Sequence, residues 1–149
     1  MATVILRDVI PSDLPIFFEH QRDPISNEMA AFPARDKEAF HAHWEKVMVN
    51  ENNLIKAILF DGVVAGMILS FEMEGQREVG YWLGREFWGK GIASEAMRLV
   101  LPSISVRPLY AHVAKHNIGS RRVLEKSGFK VTSEYQAEDD IEMFILRLE

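Results

Sequence analysis

Cysteine is absent from the 149-residue chain, which excludes disulfides, thiolate nucleophiles and thiolate metal sites. Long apolar runs are absent too: none approaches the ~20 residues that a bilayer-spanning helix needs. The start, Met1-Ala2-Thr3-Val4-Ile5-Leu6-Arg7-Asp8, meets charge before the apolar stretch of a signal peptide can form. The expectation is a cytoplasmic protein with no membrane partner. An excess of positive charge is also missing. The net charge of −5 argues against nucleic acid as the main partner. His41 and His43 lie two apart, on different faces of a predicted helix, whereas a helical metal pair wants a spacing of four. No metal is therefore assigned. Repeats, low-complexity segments and linkers are lacking. With 48% hydrophobic residues, the chain reads as a single domain over 1–149 with a sizeable core, working as a monomer or homodimer.

Charge is present but unevenly distributed. Residues 84–130 hold nine Lys and Arg against three Asp and Glu, while the remainder holds eight against nineteen. The first region suits a polyanion and the second a cationic amine, although a segregation in sequence need not survive in space. Thr3 to Val9 reads as a strand. Ser12 begins a helix through His20, which Asp23-Pro24 ends. A loop through Phe32-Pro33 leads to a helix from Asp36 to about Val49, with Phe40, Trp44, Val47 and Met48 on one face. Leu54–Phe60 and Val63–Phe71 flank Asp61-Gly62, a hairpin signal. Glu74-Gly75 turns the chain into a strand at Arg77–Leu83. A helix from Ile92 to about Leu101, a strand at Leu109–Val113, a helix from Asn117 to Gly128 and a final antiparallel pair, Lys130–Tyr135 and Ile141–Leu148, complete the order β-α-α-β-β-β-α-β-α-β-β. That order predicts an α/β domain with one mixed, mostly antiparallel sheet.

Trp88-Gly89-Lys90-Gly91-Ile92-Ala93 is the most informative stretch. It joins a buried strand pattern to a helix in which Ile92, Ala96, Leu99 and Val100 recur at helical spacing. A strand, a glycine loop and a helix N-terminus together offer free backbone N–H groups and the positive end of a helix dipole, a cradle for phosphate. A tight turn with no ligand is the plainer alternative. Gly84-Arg85-Glu86-Phe87-Trp88-Gly89-Lys90 also matches seven positions of a Walker A phosphate loop, but Gly91 stands where a Ser or Thr hydroxyl should hold magnesium. No apolar strand ending in Asp supplies a second metal contact.

Trp88-x-x-Gly91-x-Ala93 resembles the Q/R-x-x-G-x-G/A signature of the GNAT N-acetyltransferase superfamily, with Trp in place of Gln or Arg. That aromatic residue and Gly80-Tyr81-Trp82-Leu83 resemble the branch of ribosomal-protein N-terminal acetyltransferases of the RimJ/RimL type. A second block, Asn117-Ile118-Gly119-Ser120-Arg121-Arg122-Val123-Leu124-Glu125-Lys126-Ser127-Gly128-Phe129, is similar to the family's N-x-x-S-x-x-V-L-E-K-x-G-F. By itself it reads as a helix capped at Asn117 and ended at Gly128. The resemblance implies a GNAT fold in which Arg77–Leu83 and Leu109–Val113 splay apart. The backbone of Tyr81, Trp82 and Leu83 would then bind the pantetheine arm of acetyl-CoA, the loop Trp88, Gly89, Lys90, Gly91, Ile92 and Ala93 its pyrophosphate, and Asn117 and Ser120 the arm near the sulfur.

The implied reaction is direct acetyl transfer from acetyl-CoA to a primary amine, a protein N-terminus or a small molecule, in a ternary complex. A non-catalytic acyl-CoA-binding domain is the alternative. The amine must be neutral to attack, and the thiolate leaves more easily when protonated. Three side chains are candidate proton handlers: Glu78 at the start of the splayed strand, His112 five residues before Asn117, and Ser120. Many family members use a Tyr four residues after that Ser; here the position is Leu124. The acceptor side is expected at the first two helices, at Met29-Ala30-Ala31-Phe32 and at the last hairpin. Glu72, Glu74, Glu78 and Glu138-Asp139-Asp140 suggest a cationic acceptor.

Overall fold

Tight turns set the first half of the fold. The computed structural model describes residues 3–149; Met1 and Ala2, the start of the N-terminal reading, lie outside them. Strand β1 (Val4–Asp8) lies antiparallel to β2 (Leu54–Phe60), which forms a hairpin with β3 (Val63–Met73). At the hairpin, Asp61 and Gly62 take φ of 50° and 82°, the double positive φ that a two-residue turn of matching twist demands. Glu74 and Gly75 repeat this geometry at 52° and 79°, leading into β4 (Gln76–Leu83). The remaining strands are β5 (Leu109–Ala114), β6 (Lys130–Gln136) and β7 (Glu142–Leu148). They complete a seven-stranded sheet of order β1-β2-β3-β4-β5-β7-β6. Among the described residues, only β4 and β5 run parallel.

That parallel junction is short. All of β4 pairs with β3, but only Arg77 and Glu78 pair with β5, opposite Leu109 and Tyr110. From Val79 onward the two strands part, and the sheet opens as the resemblance implies. Side-chain alternation along each strand then assigns residues to its two faces.

On one face lie α4 (Ile92–Val100) and α5 (Ile118–Lys126). Here Ile92, Ala96, Met97 and Val100 pack with Val79, Leu83, Leu109, Ala111, Val113 and Leu124. Met97, rather than Leu99, fills the buried stripe of α4. On the other face lie α1 (Leu14–Gln21), α2 (Pro24–Ala30) and α3 (Lys37–Val49). Phe17, Phe40 and Trp44 form a second apolar cluster there, with Val47 and Trp82 against it. Met48, expected on the buried face of α3, is 39% exposed.

Two expectations at the N-terminal end need correction. Ser12 does not cap the first helix; it sits in a 3-10 turn, Pro11–Asp13. The buried residue there is Asp13, held by Arg7 through bonds of 2.7 and 2.9 Å. Asp23-Pro24 ends one helix and also starts the unexpected α2: Asp23 accepts from the Ile25 N–H, and Pro24 occupies the first helical position. Proline there loses no helical hydrogen bond, since that N–H has no partner within the helix. The order is therefore β-α-α-α-β-β-β-α-β-α-β-β.

Candidate active site

The opening between β4 and β5 leads into a cleft of about 580 Å³. Its walls are Tyr81, Trp82 and Leu83 of β4, the loop before α4, the N-terminal turn of α5, and Ser26, Met29 and Ala30 of α2. The loop is shaped by two glycines. Gly89 has φ of 74° and Gly91, the N-cap of α4, has φ of 77°. A β-carbon at either would meet nothing within 4 Å, so the loop surrounds open space. No side chain caps α4, and the N–H groups of its first turn have no carbonyl four residues back within the helix. Donors, dipole and space coincide, as an anion site requires. The residues present fit a pyrophosphate.

The same loop does not fit the Walker reading. Arg85–Phe87 is a 3-10 turn, and Arg85 is committed to Asp23 at 2.7 Å. Lys90, which would reach a nucleotide's phosphates in a Walker loop, is exposed and does not line the cleft. It is the one residue of the expected coenzyme loop that lies outside the lining. Trp88 lines the cleft and donates from its indole nitrogen to the Leu83 carbonyl at 3.3 Å, joining the loop to the end of β4.

Across the cleft, Asn117 caps α5 as expected, its Oδ1 accepting from the Ser120 N–H at 3.2 Å. The Ser120 hydroxyl in turn receives the Tyr81 hydroxyl proton at 2.9 Å. This pair joins the splayed strand to α5 at the mouth of the fork. Burial pushes the Tyr81 phenol above its usual pKa, partly offset by the bond to Ser120. Tyr81 is therefore a neutral donor at physiological pH. Leu124 is 3% exposed and belongs to the core.

Glu78 and His112 lie on the other face of the sheet and do not line the cleft. Each sits beside the fork on its own strand. His112 Nε2 approaches Glu78 Oε1 at 3.2 Å, and its Nδ1 meets the Tyr135 hydroxyl at 2.9 Å. Glu78 is 3% exposed. The bond to Glu78 raises the His112 pKa above its usual value; burial opposes this, and the charges of Glu78 and Glu74 reinforce it. Burial also raises the Tyr135 phenol, with the Glu78 charge adding to it.

Beside this array, Trp82 donates to the His20 carbonyl at 3.2 Å and receives the Phe32 ring edge-on at 5.8 Å. His116 ties the β5–α5 loop to α2 by a 2.9 Å contact with the Glu28 carbonyl. The Met29–Phe32 segment expected on the acceptor side thus stands next to the opening.

The candidate residues form two groups: Tyr81, Asn117 and Ser120 with the glycine loop, and Glu78 with His112. Sequence reasoning missed the Tyr135 hydroxyl and the pairing of Tyr81 with Ser120. Strand alternation alone could have placed Glu78 and His112 on one face, but nothing in the sequence brings Tyr135 across β7 to them. The basic region is also less free than its count suggests. Arg85, Arg98, Lys115 and Arg121 are bonded to Asp23, Glu95, Glu134 and Glu125. Among the described residues, no group of three or more His, Cys, Asp or Glu could hold a metal ion, and no helix is long and apolar enough to cross a membrane.

Comparison with known proteins agrees with this architecture. The family model described as "Acetyltransferase (GNAT) domain" matches residues 3–130. A Bacillus subtilis protein named "Putative ribosomal N-acetyltransferase YdaF" is 29% identical over 100 residues, covering 62% of this chain and 55% of the relative. The match therefore spans little more than half that relative's length. Among solved structures, the spermidine N-acetyltransferase from Vibrio cholerae, in complex with CoA and spermine, superposes with a TM-score of 0.82 at 14% identity, covering 97% of this chain and 94% of that one. The acetyltransferase (GNAT family) from Bacillus anthracis gives a TM-score of 0.80 at 17% identity over 97% and 93% of the two chains. At those identities the two structures establish a shared fold. With its family model matched over residues 3–130, the chain belongs to the GNAT acetyltransferase family.

Proposed function

We propose that the protein transfers an acetyl group from acetyl-CoA directly to a primary amine held on the opposite face of the sheet. The observation that carries this reading is the fork. β4 and β5 pair at only two positions and then part beside a glycine loop of positive φ that surrounds open space. Free strand edges can bind the amides of a pantetheine arm as they would another strand. The loop from Gly89 to Ala93 is the pyrophosphate site, with Asn117 and Ser120 near the sulfur.

The reaction forms an N–C bond and breaks a C–S bond. The amine loses one proton and the departing thiolate gains one. His112 is where the amine proton comes to rest, and the buried Glu78 stabilises the resulting imidazolium. Because Glu78 holds the imidazole pKa above its ordinary ~6.5, the neutral, accepting form grows in only above that value. Ser120 donates to the thiolate, and the Tyr81 hydroxyl, already bonded to Ser120 Oγ, returns a proton to it, Tyr81 regaining one from solvent as His112 gives one up to solvent. This hydroxyl pair supplies the acid that a Tyr at the Leu124 position would otherwise provide. The developing oxyanion is served by backbone N–H groups near Gly80 and Tyr81.

A primary amine that is cationic in solution suits the acidic setting of Glu74 and Glu78. The names of the relatives, a ribosomal N-acetyltransferase and a spermidine N-acetyltransferase, support the same acceptor chemistry. Thiol release from acetyl-CoA, measured over a panel of polyamines, small amines and N-terminal peptides, tests the reading. Release that depends on a primary amine is expected. Binding of acetyl-CoA with no release for any amine would leave a binding domain instead.

A further inference from the structure

The geometry points to Tyr135 as a catalytic residue: its hydroxyl takes the acceptor's ammonium proton while passing its own proton to Nδ1 of His112. The inference rests on the transferase reading above and deepens its account of proton transfer.

Both nitrogens of His112 already have partners, Glu78 at 3.2 Å and Tyr135 at 2.9 Å. An incoming amine therefore finds no open imidazole nitrogen, and its proton must enter through one of the two partners. Glu78 is 3% exposed, whereas Tyr135 is 39% exposed. Of the two partners, Tyr135 is the one an acceptor can reach.

The direction of the array follows from donor and acceptor inventory. An ionised Glu78 can only accept, so His112 Nε2 carries the hydrogen, Nδ1 accepts, and the Tyr135 O–H donates. The phenol oxygen keeps lone pairs for an ammonium N–H. When the proton moves, the ammonium becomes an amine, Tyr135 ends neutral as it began, and His112 becomes an imidazolium against Glu78. Charge and atoms balance with no further reactant.

The placement of Tyr135 also separates it from an ordinary surface residue. All of β6 is exposed and lies at the sheet edge. Tyr135 nevertheless reaches over β7 to set its ring edge-on to the imidazole, with centroids 5.6 Å apart at 70°. The charged and titratable groups acting on His112 are Glu78 from β4, Glu74 from the β3–β4 turn and Tyr135 from β6.

Two measurements test the relay. Nitrogen-15 NMR of His112 in the free protein, at a pH where the ring is neutral, should show the Nε2–H tautomer. The Nδ1–H tautomer would overturn the relay without reference to any substrate. Kinetically, Tyr135→Phe should lower kcat by roughly tenfold or more while leaving acetyl-CoA affinity within about twofold. The rising limb of its pH profile should stay above the ordinary imidazole range, because Glu78 remains. A parent that transfers acetyl while Tyr135→Phe matches it in kcat overturns the relay alone. A parent that transfers to no member of the amine and peptide panel overturns the transferase reading, and the relay with it.

Discussion

The two faces of the sheet at the fork are built on different principles. On the α4–α5 face the site is mostly backbone: two glycines of positive φ, an uncapped helix N-terminus and an Asn cap, with a single hydroxyl pair added. On the α1–α3 face the site is side chains: Glu78, His112 and Tyr135, drawn from three different strands and joined end to end. A backbone cradle can hold any diphosphate of the right reach, which suits one shared acetyl donor. A side-chain array answers to protonation and to the shape of what approaches it, which suits an acceptor that differs between relatives. The contrast predicts that changes to the backbone cradle alter binding, whereas changes to the side-chain array, and to the single hydroxyl pair, alter turnover.

The largest effect should come from the side-chain face. His112→Gln removes the proposed proton acceptor and should slow single-turnover transfer by ~10²–10⁴-fold, with acetyl-CoA affinity unchanged by calorimetry. A loss of affinity as large as the loss of rate would erase the division between faces. Next, Gly91→Asp places a β-carbon and a negative charge at a φ of 77° in the proposed anion cradle. Acetyl-CoA should bind at least tenfold more weakly, about 1.4 kcal/mol, with the circular dichroism spectrum retained.

Glu78→Gln sharpens the comparison through pH. The carboxylate raises the His112 pKa, and a base must be deprotonated to act. Removing the charge should therefore move the rising limb of the rate profile to lower pH, toward ~6.5, while the plateau falls. A limb that stays in place would assign it to some other group. The smallest effect belongs to Tyr81→Phe, which deletes the hydroxyl behind Ser120. Loss of one neutral hydrogen bond, about 1 kcal/mol, should slow transfer roughly fivefold. Ser120→Ala should cost at least as much, and the double variant little more than Ser120→Ala alone.

The backbone face was largely legible in the sequence, because its signals are local. Gly91 before Ile92 and Asn117 before a periodic helix each announce a chain geometry within a few residues, and the structure has both. The order of elements, one helix short, was read from residue patterns, whereas the fork followed from the family resemblance alone. The second helix, Pro24–Ala30, was hidden because Asp-Pro closes one helix and opens the next with the same two residues. The side-chain face was legible only in part. Glu78 and His112 were visible as candidates, but their contact depends on β4 and β5 being neighbours over only two residues. Tyr135 was invisible because its partner lies 23 residues away, across an intervening strand. Nor does any local pattern join Tyr81 to Ser120, 39 positions apart.

The location of the donor site is the claim on which the rest depends, and amide chemical-shift mapping with CoA tests it directly. The shifts should concentrate at Gly89–Ser94, Asn117–Ser120 and Tyr81–Leu83, leaving β1 and α3 unmoved. Shifts centred elsewhere, with the Gly91 and Ile92 amides unchanged at saturation, would contradict it.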